Sequence, residues 1–270
     1  MNKFFKTIIL FTGIAVMTWI PSYSQSPDYY GSEPAGSLYE FAPRNLVDAP
    51  TAGTLRRGCF DIVLRVYNNG GILTGAAIGL SNSLMLGMSY GAEGIISDRS
   101  ASNNPQIEFQ VKLKIISEEY LLPAFTIGFC SQGYGAYDDE RDRYAFKSKG
   151  FYGVISRSFY VGRIGVGGHA GINYSFENDY DNDKEPSIYF GFDARFAHDI
   201  GFVAEYDMAL NDDRAGAHYT KGRGYLNMGL KWLYKENLEL EIILHDIFVN
   251  RRIGATTFGR ELRFTYIEFF

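Results

Sequence analysis

From Gly58 to the end of the chain one pattern repeats: a large apolar side chain, then a polar or small one, at alternate positions. "QIEFQVKLKII" is the cleanest instance, with Ile107, Phe109, Val111, Leu113 and Ile115 set against Glu108, Gln110, Lys112 and Lys114. A period of two means an extended strand with one apolar and one polar face. "CFDIVLRVY" places Phe60, Ile62, Leu64 and Val66 opposite Cys59, Asp61 and Arg65, and "SIYFGFDARF" repeats the scheme with Ile188, Phe190, Phe192, Ala194 and Phe196. It returns in "NLELEIILHD" and in the closing "ELRFTYIEFF".

Twelve strands are expected on this basis: 58–67, 71–80, 83–91, 105–116, 121–130, 144–157, 161–176, 187–197, 200–209, 223–234, 237–247 and 257–270. Their connections alternate in length. Short turns are expected at 81–82, 117–120, 158–160, 198–199 and 235–236, with longer polar links between them. Only 68–70 is tight on the long-link side. Short turns at one end and long loops at the other fit an antiparallel up-and-down transmembrane β-barrel, with the turns in the periplasm.

A soluble barrel or sandwich alternates too, so the amount of apolar surface decides. The chain holds 21 Phe and 20 Tyr. Twelve strands with four or five large apolar side chains each carry more than a closed lumen can hold, so that face must turn outward to lipid. Aromatics also gather near strand ends, as at Phe159 and Tyr160, Tyr174 and Phe176, and Trp232 and Tyr234. Rings with one wet edge suit the membrane–water boundary.

Residues 1–24 read as a secretory signal peptide: Lys3 and Lys6 precede an apolar run from Thr7 to Ile20, and Ser22, Tyr23 and Ser24 supply a cleavage site. The run is short of the roughly 20 residues a spanning helix needs. Removing Lys3 and Lys6 takes the net charge from −5 to −7, which argues against nucleic acid as a partner. Expected partners are outer-membrane lipid and lipopolysaccharide, the barrel assembly machinery, and polysaccharide or small solutes. The segment 25–57, with Pro27, Pro34, Pro43 and Pro50 but no period, is either a periplasmic leader or a plug entering the lumen, and the leader is preferred.

The polar face supplies the candidate site. Lys112, Lys114, Lys147, Lys149, Arg157 and Arg163 form an expected basic wall, and Glu205, Asp207, Glu239 and Glu241 an acidic wall roughly opposite. Two outcomes stay open: a transverse field across a narrow aqueous pore, or long side chains that bridge the lumen as ion pairs and fill it. His169, in "GVGGHAGIN", is a candidate catalytic base with Ser156 and Asn173 near it by strand pairing, although no local motif supports a hydrolase. Asp179, Asp181 and Asp183 begin like an EF-hand loop, but Lys184 stands where Gly is needed and Phe190 where Glu is needed. The remaining histidines lack metal-ligand spacing, so neither a metal nor a cofactor is expected. Cys59 and Cys130 are expected too far apart to bond.

The closing stretch carries a further pattern, polar-x-Gly-x-x-apolar-x-aromatic, in Thr257, Gly259, Leu262 and Phe264, with Phe270 at the end. It is similar to the sorting signal that outer-membrane barrels present for assembly. "DAPTAGTLRRGCFDIVLRVYNNGGILTGAAIGLSNSLMLGMSYGAEGII", "EEYLLPAFTIGF" and "KSKGFYGVISRSF", within about residues 49–160, resemble an exopolysaccharide-associated family of outer-membrane barrels. That resemblance implies an integral, non-enzymatic barrel tied to envelope polysaccharide, with no catalytic residues.

Overall fold

The computed structural model describes residues 43–98, 100–162, 164–196, 199–214, 218–235, 237–252 and 257–270. The expected signal peptide, the first part of the segment 25–57, and Arg163 lie outside these residues. The twelve expected strands form: β1 (Cys59–Tyr67), β2 (Gly71–Gly79), β3 (Leu84–Glu93), β4 (Glu108–Ile116), β5 (Ala124–Cys130), β6 (Gly150–Val161), β7 (Ile164–Tyr174), β8 (Ser187–Arg195), β9 (Ile200–Asp207), β10 (Tyr225–Tyr234), β11 (Leu238–His245) and β12 (Gly259–Phe269). Each pairs antiparallel with its chain neighbours, and β12 returns to β1 with Cys59 opposite Phe269 and Tyr67 opposite Glu261. The sheet is therefore a closed ring of twelve strands. With nine residues in β4 and eleven in β12, the strands match the roughly 9–11 that cross a bilayer.

Burial is inverted relative to a soluble protein. Phe109, Ile115, Phe151, Ile172, Leu230 and Ile242 are each at least half exposed on the outer face. Asp61, Glu108, Lys112, Glu205, Lys231, Glu241, Glu261 and Arg263 are buried on the inner face. Charges shut inside a ring and hydrocarbon turned outward are stable only if the exterior solvent is lipid.

Two boundaries differ from expectation. Ser158, Phe159 and Tyr160 pair with Gly167, Val166 and Gly165, so the β6–β7 turn falls at Gly162, whose φ is +65°. Alternation runs straight through "FYVGRIGV", so periodicity could not place it. The start of β6 also moves, because Arg143–Phe146 belongs to a ribbon with Tyr134–Asp138 inside the β5–β6 loop. Gly150, at φ +59°, separates ribbon from barrel, and a Cβ there would come within 2.0 Å of the Tyr174 carbonyl oxygen.

The larger difference is at the N-terminal side. Residues 43–57 do not lie beyond the turn end of the barrel as a leader; they run inside it. Asn45 bridges Pro50, Leu46 N–H donates to Ala49 at 2.9 Å and Thr51 N–H to Arg44 at 3.1 Å, which closes a small hairpin. Leu46 and Val47 pack on Val203 and Ile243, and Ala49 and Ala52 on Tyr152, Val154 and Tyr189. The chain then leaves at the turn end, where Arg57 N–H donates to Asn82 Oδ1 at 3.0 Å. Pro43 and Pro50 punctuate this hairpin but no period marks it, because its order comes from the wall around it.

Candidate functional site

The lumen is the candidate site, and the hairpin is seated in it through backbone groups. At its tip, the N–H groups of Val47, Asp48 and Ala49 donate to the Glu205 carboxylate at 2.8–3.0 Å, and Asn227 donates to the same carboxylate at 2.8 Å. At its base, the Lys112 ammonium donates to the carbonyl oxygens of Arg44, Thr51 and Gly53. Charge-assisted bonds of this kind are the strong ones. Ala52 spans β5 and β6: its N–H donates to Ser156 Oγ at 2.9 Å, and its carbonyl accepts from Thr126 at 3.0 Å. Arg263 donates to the Val47 carbonyl at 3.0 Å.

The hairpin's own charges are matched as well. Arg44 pairs with Asp61 at 2.8 Å. Asp48 lies 2.7 Å from Arg65 Nη2 and 3.3 Å from His245 Nδ1. Glu261 sits behind that cluster, 2.7 Å from Arg65, 3.0 Å from Arg263 and 2.9 Å from His245 Nε2.

At the loop end residues 131–149 fold inward and narrow the opening. Tyr134 stacks on His245 at 4.2 Å and contacts Tyr67 and Phe146, and Phe146 in turn packs on Tyr225. Arg143 grips both oxygens of Asp212 at 2.9 Å and reaches Asp181 at 3.0 Å. Burial pushes the Asp212 carboxyl up, and the Arg143 fork pulls it back. Glu177 accepts from the N–H groups of Tyr144 and Ser148. Beside the hairpin a cavity of about 210 Å³ remains, lined in part by Asp48, Arg65 and Arg263, by Lys149 and Tyr225 toward the cap and by Lys231 and Glu239 toward the turn end.

The nine wall residues among the described ones are distributed as follows. Lys112 and Glu205 hold the hairpin. Lys114 follows on the inner face of β4 at its turn end and is half-buried. Lys147 and Lys149 stand before β6, not on it; Lys147 pairs with Asp181 at 2.7 Å, and Lys149 pairs with Asp207. Glu239 and Glu241 face Lys231 on the adjoining strand at 3.2 and 3.3 Å. Arg157 does not face the lumen. It shares the outward parity of Phe151 and Ile155 and donates to the carbonyls of Tyr120 and Leu121 at the turn end. Arg157 belongs to the rim because Tyr152, Val154 and Ser156 take the inward positions of β6. Lys149 and Asp207 thus join the two expected walls, while Glu239 and Glu241 pair with Lys231 on the adjoining strand instead.

Of the expected sorting pattern, Thr257 precedes β12 and Gly259 opens it, with Leu262 and Phe264 outward on its lipid face; Phe270 follows β12, 78% exposed. Sequence reasoning did not single out Arg65, His245, Glu261 or Arg263 as a group. The signal was present in part, since Arg65 falls on the polar face of β1, and the inward parity of β12 picks out Glu261 and Arg263.

His169 does meet Ser156, at 2.7 Å through Nδ1, and Asp193, at 2.8 Å through Nε2. Gly167 makes room for that pair, since a Cβ there would lie 2.2 Å from Asp193 Oδ1. Asn173 instead donates to the Lys149 carbonyl. The Ser156 hydroxyl is covered by the Ala52 N–H, so the trio reads as a relay that fixes the hairpin. Cys59 and Cys130 are free thiols.

No protein-family model matches the chain, and no curated protein matches it in sequence. Among solved structures it is similar in outline to the KdgM porin, at 10% identity and TM-score 0.45 over 77% of this chain and 98% of that one. The NanC porin gives 10% identity and 0.45 over 78% and 99%. The outer-membrane protein Omp33 of Acinetobacter baumannii gives 6% and 0.44 over 78% and 97%. At such values the likeness is one of outline alone.

Proposed function

We propose that this chain is an integral barrel of the bacterial outer membrane, non-enzymatic, whose narrow lumen is a channel for small polar solutes held closed by the chain's own N-terminal hairpin. One observation carries it: the inner face buries charged groups such as Lys112, Glu205, Lys231, Glu241 and Arg263, and the segment that closes it is seated on two of them through its backbone, beside its apolar packing on Val203, Ile243 and Tyr152. A purely structural barrel has no need of a polar bore with a separate stopper. On this reading residues 1–24 are the export signal, the outward aromatic girdle meets lipid and lipopolysaccharide, and the pattern from Thr257 to Phe264 with Phe270 addresses the assembly machinery. A link to envelope polysaccharide rests on the resemblance over residues 49–160, and the solute class then includes saccharides.

Planar-bilayer recordings test the channel. The full chain should be silent or nearly so, and a variant lacking residues 25–57 should show steady conductance steps. Silence in both, with the barrel folded, would leave an envelope barrel without transport.

A further inference from the structure

Asp48 occupies its position in the manner of a ligand. It belongs to the hairpin and not to the wall, yet its carboxylate meets Arg65 Nη2 at 2.7 Å and lies 3.3 Å from His245 Nδ1, a buried nitrogen with no hydrogen-bond partner. The wall behind is prebuilt. Arg65 is fixed by both oxygens of Glu261 at 2.7 and 2.9 Å and lies 4.9 Å from the centre of the Tyr134 ring. His245 is stacked on the same ring and held by Glu261. Arg263 completes the cluster and lines the same cavity as Arg65 and Asp48. Once Asp48 is taken away, Arg65 and His245 Nδ1 lose the carboxylate that lies between them in a half-enclosed space, while Arg263 stays shared between Glu261 and Glu241 at 3.0 and 3.7 Å. A buried guanidinium deprived of one partner favours a replacement anion, and its planar fork selects carboxylate geometry.

We propose that Arg65, Arg263 and His245 form a carboxylate-binding site in the lumen, occupied here by the chain's own Asp48 and open to carboxylate-bearing solutes when the hairpin leaves. The site deepens the channel reading by naming a solute class, and it depends on that reading only for its role in transport. Because Asp48 is tethered, its effective concentration is in the millimolar range or above. A free carboxylate therefore competes poorly with the intact chain.

The experiment is calorimetry on the full chain in detergent, titrated with succinate and, as an uncharged counterpart, succinamide. Asp48→Ala should bind succinate at least tenfold more tightly than the unsubstituted chain and succinamide not measurably. Adding Arg65→Gln to Asp48→Ala should remove succinate binding. Circular dichroism and the gel shift on heating establish that each variant is folded, and Asp48→Asn, which keeps the side-chain volume, should also bind succinate more tightly than the unsubstituted chain. Equal affinity of the unsubstituted and Asp48→Ala chains for succinate, no binding to either, or equal binding of succinamide would overturn the site. Conductance without succinate binding would remove the site and keep the channel; succinate binding without conductance would do the reverse.

Discussion

The two segments that fill the lumen are built differently. The cap at the loop end, residues 131–149, is held by rings: Tyr134 against His245 and Tyr67, Phe146 against Tyr225, with Arg143 locked into Asp212. The hairpin at the turn end is held through its backbone, by Glu205 on three N–H groups and Lys112 on three carbonyls, and carries no aromatic ring of its own among the described residues. Side-chain packing of the first kind has no substitute in water, because an exposed ring loses its burial. Backbone hydrogen bonds of the second kind can be taken over by water, at about 1.5–3 kcal/mol each where the side-chain partner is charged. A fixed constriction at the loop end and a removable stopper are the result, and the comparison can be broken at either end.

The largest effect belongs to the cap. Arg143→Ala leaves Asp212 buried without its partner, and unfolding free energy should fall by about 3–5 kcal/mol, read as a drop in the denaturant midpoint with increased proteolysis within 131–149. Next comes the tip of the hairpin. Glu205→Ala removes the acceptor of three N–H groups and should cost about 1–3 kcal/mol. Its sharper readout is maleimide labelling at Ala49→Cys, in a background with Cys59 and Cys130 replaced, which should rise at least tenfold while the cap stays protected. Labelling unchanged by Glu205→Ala would mean that packing, and not the carboxylate, seats the hairpin. A loss of similar size, about 1–3 kcal/mol, with a smaller labelling response is expected for Gly167→Ala, whose Cβ displaces Asp193 from His169; Ala49→Cys labelling should rise only modestly. Arg157→Ala, at the outer rim, should change stability by less than about 0.5 kcal/mol and leave labelling alone. A large effect there would return Arg157 to the lumen.

The barrel was legible because its information is periodic: the alternation in Glu108–Ile116 or Gly259–Phe269 states both the strand and its two faces. The boundaries that slipped are those where alternation is uninformative, across Gly162 and before Gly150. The site was legible by half. Lys112 and Glu205 follow from parity alone, but what they hold is backbone, which any sequence supplies, so the hairpin at Pro43–Arg57 left no periodic mark. The same holds for Asp48, whose meaning comes from Arg65, 17 residues on, and from His245 near the other end of the chain. Lys147 and Arg157 were misplaced for one reason, the wrong ends assigned to β6.

The orientation of the two faces underlies everything else, and Trp232 tests it directly. It lies on the outer face of β10 near the turn end, 45% exposed, and is the only tryptophan once residues 1–24 are removed. In vesicles of lipids brominated along the acyl chain its fluorescence should be strongly quenched, and aqueous acrylamide should quench it little. Efficient quenching by acrylamide with none from brominated chains would place the indole in water or in a protein core, and the inside-out barrel would be wrong.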